Sequence, residues 1–175
     1  MKSIVCSVAF IALSNFAMAD VSDTADKREF FTSAGKCRIA IPKGEFFIVK
    51  EQIKPTGATA YYALANEKKL INYSFYLDTN TASCKSSDQC LESVLRSKAY
   101  EKAKGLKRYE HSGFSVAEFN IEFPGKDGIT IIQKNVLAEN IKDGCWIDVH
   151  LSQVGMESPD VNNILSVLKD ATIQP

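Results

Sequence analysis

Asp148, His150 and Ser152 fall within five residues of one another and follow the chain's single tryptophan, Trp146. An aspartate, a histidine and a serine are the parts of a nucleophilic triad, in which the imidazole takes the hydroxyl proton and the carboxylate orients the ring. Their spacing argues against that chemistry. The stretch Gly144 to Val154 alternates Cys145, Ile147, Val149 and Leu151 with Trp146, Asp148, His150 and Ser152, the period-two signature of a strand. Side chains two positions apart on a strand project in parallel, about 6 to 7 Å apart, and do not converge within hydrogen-bond reach. No Gly-x-Ser-x-Gly elbow is present either. The other reading of Trp146, Asp148 and His150 is a partner-binding row, since tryptophan is enriched in binding hot spots. If a helix covers that face, Trp146 is core instead, and the sequence leaves the two readings open.

Other chemistries are thinly represented. Tyr61, Tyr62, Tyr73 and Tyr76 are candidates for an aromatic pocket, against the alternative that they pack a hairpin. No glycine loop that would cradle a phosphate, no Cys-x-x-Cys or Cys/His spacing and no reactive Cys-His signature occurs. No metal, cofactor or catalytic residue is therefore expected.

The first nineteen residues carry one early cation, Lys2, an apolar run from Ile4 to Leu13, and Ala17-Met18-Ala19 before Asp20. This is the layout of a secretory signal cleaved near Ala19. The run is too short for the roughly 20 residues that span a bilayer, so the mature chain is expected to have no transmembrane anchor. Of the five cysteines, Cys6 leaves with the signal, and Cys37, Cys84, Cys90 and Cys145 remain. An even number in an exported chain favours disulfides. Three pairings are possible; proximity favours Cys84 with Cys90, which leaves Cys37 with Cys145. Loss of Lys2 leaves 20 basic against 21 acidic residues. That near-neutral balance gives no nucleic-acid footprint.

These residues must be positioned by elements that the pattern outlines. Residues 20–29 are polar and read as a flexible leader, and 30–175 as one domain. Lys36 to Ile41 alternates as a half-buried strand and ends at Pro42-Lys43-Gly44. Phe46 to Val49 reads as a short strand, and Ala58 to Ala65 with Leu70 to Leu77 as a hairpin. Ser87 is placed to cap a helix with the stripe Leu91, Val94, Leu95 and Ala99, stopped by Gly105. The cations Arg96, Lys98, Lys102, Lys104, Lys107 and Arg108 near its end read as a solvated face. Strands follow from Phe114 to Phe123, Ile129 to Glu139 and Gly144 to Val154, the last two joined through Asp143-Gly144. Ser158-Pro159-Asp160 opens a final helix with the stripe Val161, Ile164, Leu165 and Leu168. The order specifies an α+β domain, a mainly antiparallel sheet packed by two principal helices.

The opening strand leading into Ile41-Pro42-Lys43-Gly44-Glu45-Phe46, the long closing hairpins and the last helix with Ile164-Leu165-Ser166-Val167-Leu168 resemble the PsbP-like group of α/β/α sandwich domains. The resemblance implies a scaffold used for binding and carries no catalytic motif onto these residues. The sequence thus leads to a periplasmic or secreted, non-enzymatic protein-binding domain of a Gram-negative bacterium, in its most concrete form an immunity-type inhibitor of a secreted toxin. The alternative is a small-molecule or lipid-binding periplasmic domain, and a third reading is a hydrolase using His150.

Overall fold

The computed structural model describes residues 21–33, 36–44, 46–81, 84–157, 160–169 and 171–174. The signal segment 1–19 and its cleavage site lie outside the described residues, as do Glu45, Ser158 and Pro159.

All strand pairings are antiparallel and form two sheets. The larger sheet has the order β4 (Phe47–Ile53), β5 (Thr59–Asn66), β6 (Ile71–Asp78), β10 (Cys145–Gly155), β9 (Thr130–Lys142), β8 (Phe114–Pro124) and β7 (Lys104–His111). The smaller sheet runs β1 (Val21–Asp23), β2 (Lys27–Phe31), β3 (Arg38–Pro42) and β11 (Thr172–Gln174). One face of the large sheet packs against the small sheet and helix α2 (Val161–Lys169), around Phe30, Ile39, Tyr62, Phe75, Ile147, Leu151 and Leu168. The other face carries helix α1 (Ser87–Leu95), whose Leu91, Val94 and Leu95 meet Ala117, Phe119 and Leu137.

The strands follow the alternation in the sequence. Cys145, Ile147, Val149 and Leu151 are fully buried toward the inter-sheet core, and Trp146, Asp148 and His150 lie half-buried on the α1 side. The reversal at Asp143-Gly144 has positive φ at both residues, 51° and 78°, the conformation a two-residue hairpin turn demands. Cys37 is bonded to Cys145, with Cα atoms 5.2 Å apart, and Cys84 to Cys90, at 5.4 Å. The first bridge ties the small sheet to the central strand of the large one. The two disulfides suit an extracytoplasmic protein. Among the described residues no helix is long and apolar enough to cross a membrane.

Three elements differ from the sequence reading. Residues 21–29 of the expected leader form, together with Phe30 and Phe31, the hairpin β1–β2. Its charges are satisfied within the fold: Arg28 Nε lies 2.8 Å and Lys43 Nζ 3.1 Å from Asp23. Phe30 is fully buried, stacked on Phe75 at 5.3 Å. The first helix is shorter than its apolar stripe suggested. It is capped by Ser86, whose side chain accepts from Gln89 N, and it ends at Leu95. Ser97 then caps a single 3-10 turn, Lys98–Tyr100, and the chain is extended again from Lys104. Gly105 lies in β7 at a register shift with φ +65°, so it serves a bulge and not a helix stop. The third difference is β11, which pairs with β3 and closes the small sheet with the C-terminal segment.

The bridge between Cys37 and Cys145 spans 108 positions and the other only 6. By loop-closure entropy the first contributes about 4 to 5 kcal/mol and the second about 2 to 3. Thermal melts of Cys37→Ala/Cys145→Ala should therefore show a larger loss of Tm than Cys84→Ala/Cys90→Ala. Reduction of the parent should lower Tm by more than either pair alone; a Tm indifferent to reductant would contradict this.

Candidate functional site

On the α1 side of the large sheet, strand register assembles Tyr61, Tyr76, Asp148, Glu139 and Ser115 into one lateral row from β5 to β8. The adjoining row holds Asp78, Trp146 and Ile141, and on the other flank Ser74, His150 and Leu137. Strand β6 ends at Asp78 and the N-terminus of α1 is tied to β9, where Ser87 Oγ accepts from Ile141 N at 3.0 Å. Both Asp78 and Ile141 are register partners of Trp146. Tyr100 on the 3-10 turn borders the site through His150.

Aromatic contacts line the site. Tyr76 meets Trp146 edge-on at 5.4 Å, and Tyr100 meets His150 at 6.2 Å and Phe119 at 5.3 Å. Tyr76 OH donates to Asp78 Oδ2 at 2.9 Å, and Asp78 Oδ1 accepts from Asn80 N at 2.7 Å. Burial raises the Tyr76 phenol above its ordinary pKa, helped by Asp78, and burial raises that of Tyr100, helped by Asp148 and Glu139. All of these phenols are neutral near pH 7.

The carboxyl groups carry the unusual physics. Glu139 is fully buried; its Oε2 accepts the Trp146 indole N–H at 2.7 Å, and its Oε1 has no hydrogen-bond partner. Directly opposite, Asp148 makes no hydrogen bond or ion pair among the described residues. Burying an unpaired carboxylate costs several kcal/mol, so such a group holds its proton instead. Burial, followed by the repulsion of Asp148, pushes Glu139 up to about 9, the indole N–H opposing, and burial raises Asp148 as well. Glu118, buried on the opposite face, shows the ordinary solution. Burial by itself would raise its pKa, but Lys107 at 3.1 Å, Lys134 at 3.6 Å and the Tyr109 hydroxyl at 3.2 Å bring it below the usual value.

His150 does not join Asp148 and Ser152 in a triad. Its Nε2 lies 3.0 Å from Asn135 Oδ1, and the Asn135 amide nitrogen donates to Gln133 O, so that oxygen accepts. The network therefore assigns the proton to Nε2. Burial lowers the imidazole pKa, which keeps the ring neutral. Ser152 is buried beside Asn135 in register.

The four tyrosines do not line one pocket. Neighbours in a strand point to opposite faces, so Tyr62 and Tyr73 are packed in the inter-sheet core while Tyr61 and Tyr76 lie on the α1 side. Tyr62 OH donates to Phe31 O at 2.6 Å, and Tyr73 meets Phe46 at 4.4 Å with the rings tilted by 42°. Tyr61 and Tyr76 border a cleft of 520 Å³ with Lys50, Lys54 and Thr59. Tyr73 and Phe46 border a separate cavity of 740 Å³ beside α2, with Ile71 and Val167 on its apolar side and Lys68, Lys69 and Gln153 on its polar side.

Sequence reasoning missed Glu139, Asp78 and Tyr100. The signal for Glu139 was present: it is an acid after Val136-Leu137-Ala138, a run with no place for an unpaired charge. Of the cations beyond α1, Lys104 pairs with Glu122 at 2.6 Å, Lys107 with Glu118 and Arg108 with Glu92. Half of that cationic group is thereby engaged within the fold.

No family model matches the chain, and no curated protein does. Among the solved structures similar to it are the following two. The solution structure of cyanobacterial PsbP (CyanoP) from Synechocystis sp. PCC 6803 shares 9% identity, covering 86% of this chain and 94% of that one, with a TM-score of 0.45. The crystal structure of LpqN, involved in cell envelope biogenesis of Mycobacterium tuberculosis, shares 12% identity over 79% of this chain and 84% of that one, with a TM-score of 0.40. A PsbP is thus among the structures to which the chain is similar.

The pH dependence of stability tests the buried acid. Glu139's folded pKa lies above its unfolded value of 4.5, so its contribution is fully present below that value and is lost as pH rises toward about 9. Tm of the parent should fall across that window. Glu139→Gln should flatten the fall and leave the variant the more stable at pH 9. Parallel Tm curves for the two proteins would show that Glu139 is not a protonated acid in the fold.

Proposed function

We propose that this is an extracytoplasmic, non-catalytic protein-binding domain whose contact surface centres on Trp146, Asp148 and His150, and that it acts as an immunity-type inhibitor of a secreted toxin. The observation that carries the reading is the partly exposed Trp146–Tyr76 pair set beside two carboxyl groups with no cation partner among the described residues, on a sheet braced by a disulfide. Tryptophan and tyrosine bury large area at little entropic cost, which suits an interface anchor. The hydrogen bond from His150 to Asn135, together with the parallel projection of Asp148, His150 and Ser152, supports a binding surface over a nucleophilic one.

A second reading, a small-molecule or lipid-binding domain, is favoured by the 740 Å³ cavity with Phe46, Ile71, Tyr73 and Val167 on its apolar side. Native protein carrying an affinity tag should co-purify a partner in near-stoichiometric amount from the envelope fraction. Trp146→Ala, checked for an unchanged melt, should lose it, and the partner's toxicity should be suppressed by the parent protein alone. Recovery of no protein at near-native levels, with a bound lipid found by mass spectrometry, would favour the second reading.

A further inference from the structure

The fold supplies cations to several buried or interlocked carboxylates and none to the pair Glu139 and Asp148. Glu118 has Lys107 and Lys134, Asp23 has Arg28 and Lys43, and Glu92 has Arg108. Glu139 and Asp148 face each other across β9 and β10 with no cation among the described residues. Two basic side chains on that face are engaged elsewhere: Lys50 sits over the Tyr61 ring at 5.7 Å, and Arg108 is held by Glu92. Glu139 Oε1 is a buried acceptor left without a donor among the described residues.

The surroundings specify what would fill it. Trp146 and Tyr76 meet at an interplanar angle of 67°, and Trp146, bonded to Glu139 through its indole N–H, places this pair of rings beside the acids. Rings of this kind attract cations through their quadrupole, tryptophan most strongly. Trp146, Tyr76, Tyr100, Asp148 and His150 all retain some exposure, so the row opens outward although Glu139 at its base does not. No set of three or more metal-ligating side chains converges among the described residues, which disfavours a metal ion. A planar guanidinium fits best, because it can donate to two carboxyl groups at once while lying against an aromatic face.

We propose that Glu139 and Asp148, walled by Trp146 and Tyr76, form a receptor for a single basic side chain, an arginine in preference to a lysine, presented by a protein partner. This rests on the protein-binding reading above and adds the chemistry of recognition. The single tryptophan makes it measurable, since the indole N–H of Trp146 gives one NMR resonance and already bonds Glu139. Nα-acetyl-arginine amide titrated into the mature protein should move that resonance saturably. The neutral isostere Nα-acetyl-citrulline amide should not. Asp148→Asn should weaken the arginine response by at least about tenfold. Asp148→Asn changes the less buried acid, and its melt reports whether the fold is kept. No saturable shift, an equal response to citrulline, or an arginine response unchanged in a folded Asp148→Asn protein would overturn the proposal. Partner capture that persists in a protein blind to arginine overturns this chemistry and leaves the binding reading standing. Arginine recognition without any captured protein upholds the chemistry and removes that reading.

Discussion

The register of β10 is the constraint on which the rest of the structure depends. The inner face of this strand is covered by the small sheet and α2, while on the other face of the sheet α1 packs on the neighbouring β9 and β8. Because side chains alternate, a one-residue slip would bring Trp146, Asp148 and His150 into the inter-sheet core and expel Ile147, Val149 and Leu151. The disulfide from Cys37 excludes that slip, since Cys145 must face the small sheet to meet it. Apolar burial and a covalent bond thus select the same register.

That register also creates the protein's least comfortable feature. Holding Cys145 inward holds Asp148 outward, and the pairing of β10 with β9 sets Asp148 opposite Glu139. The arrangement places one acid against another in a site from which water is largely excluded. Protonation of Glu139 and the indole hydrogen bond from Trp146 reduce the penalty but leave one carboxyl oxygen unbonded. Glu118 shows that the same fold can neutralise a buried acid with two lysines and a tyrosine. Unpaired acids beside partly exposed aromatic rings are poor for stability and good for recognition, and the two bridges supply the rigidity that tolerates them.

Much of the scaffold was legible along the chain. Alternation in 59–66, 71–78, 114–124 and 145–155 marks the strands, Asp143-Gly144 marks the central hairpin, and the spacing of Cys84 and Cys90 indicates the local bridge. The β1–β2 hairpin was not legible, because Asp23 and Arg28 look like solvated charges until Lys43 and a buried Phe30 are brought beside them. Strand β11 is three residues long and has meaning only against β3, far away in sequence. The length of α1 was overread because the apolar stripe continues in spacing to Ala99, whereas the chain turns there to seat Tyr100 beside His150.

The sequence by itself determined which side chains share a face of each strand, because that alternation is a local property of extended backbone. It therefore separated Trp146, Asp148 and His150 from Cys145, Ile147 and Val149, and it already held the parity that parts Tyr61 from Tyr62. Only the tertiary structure decided what each face meets: Glu139 opposite Asp148, Tyr76 against Trp146, and Asn135 in hydrogen-bond reach of His150. Those neighbours come from cross-strand register and layer packing, which join residues that no local pattern connects.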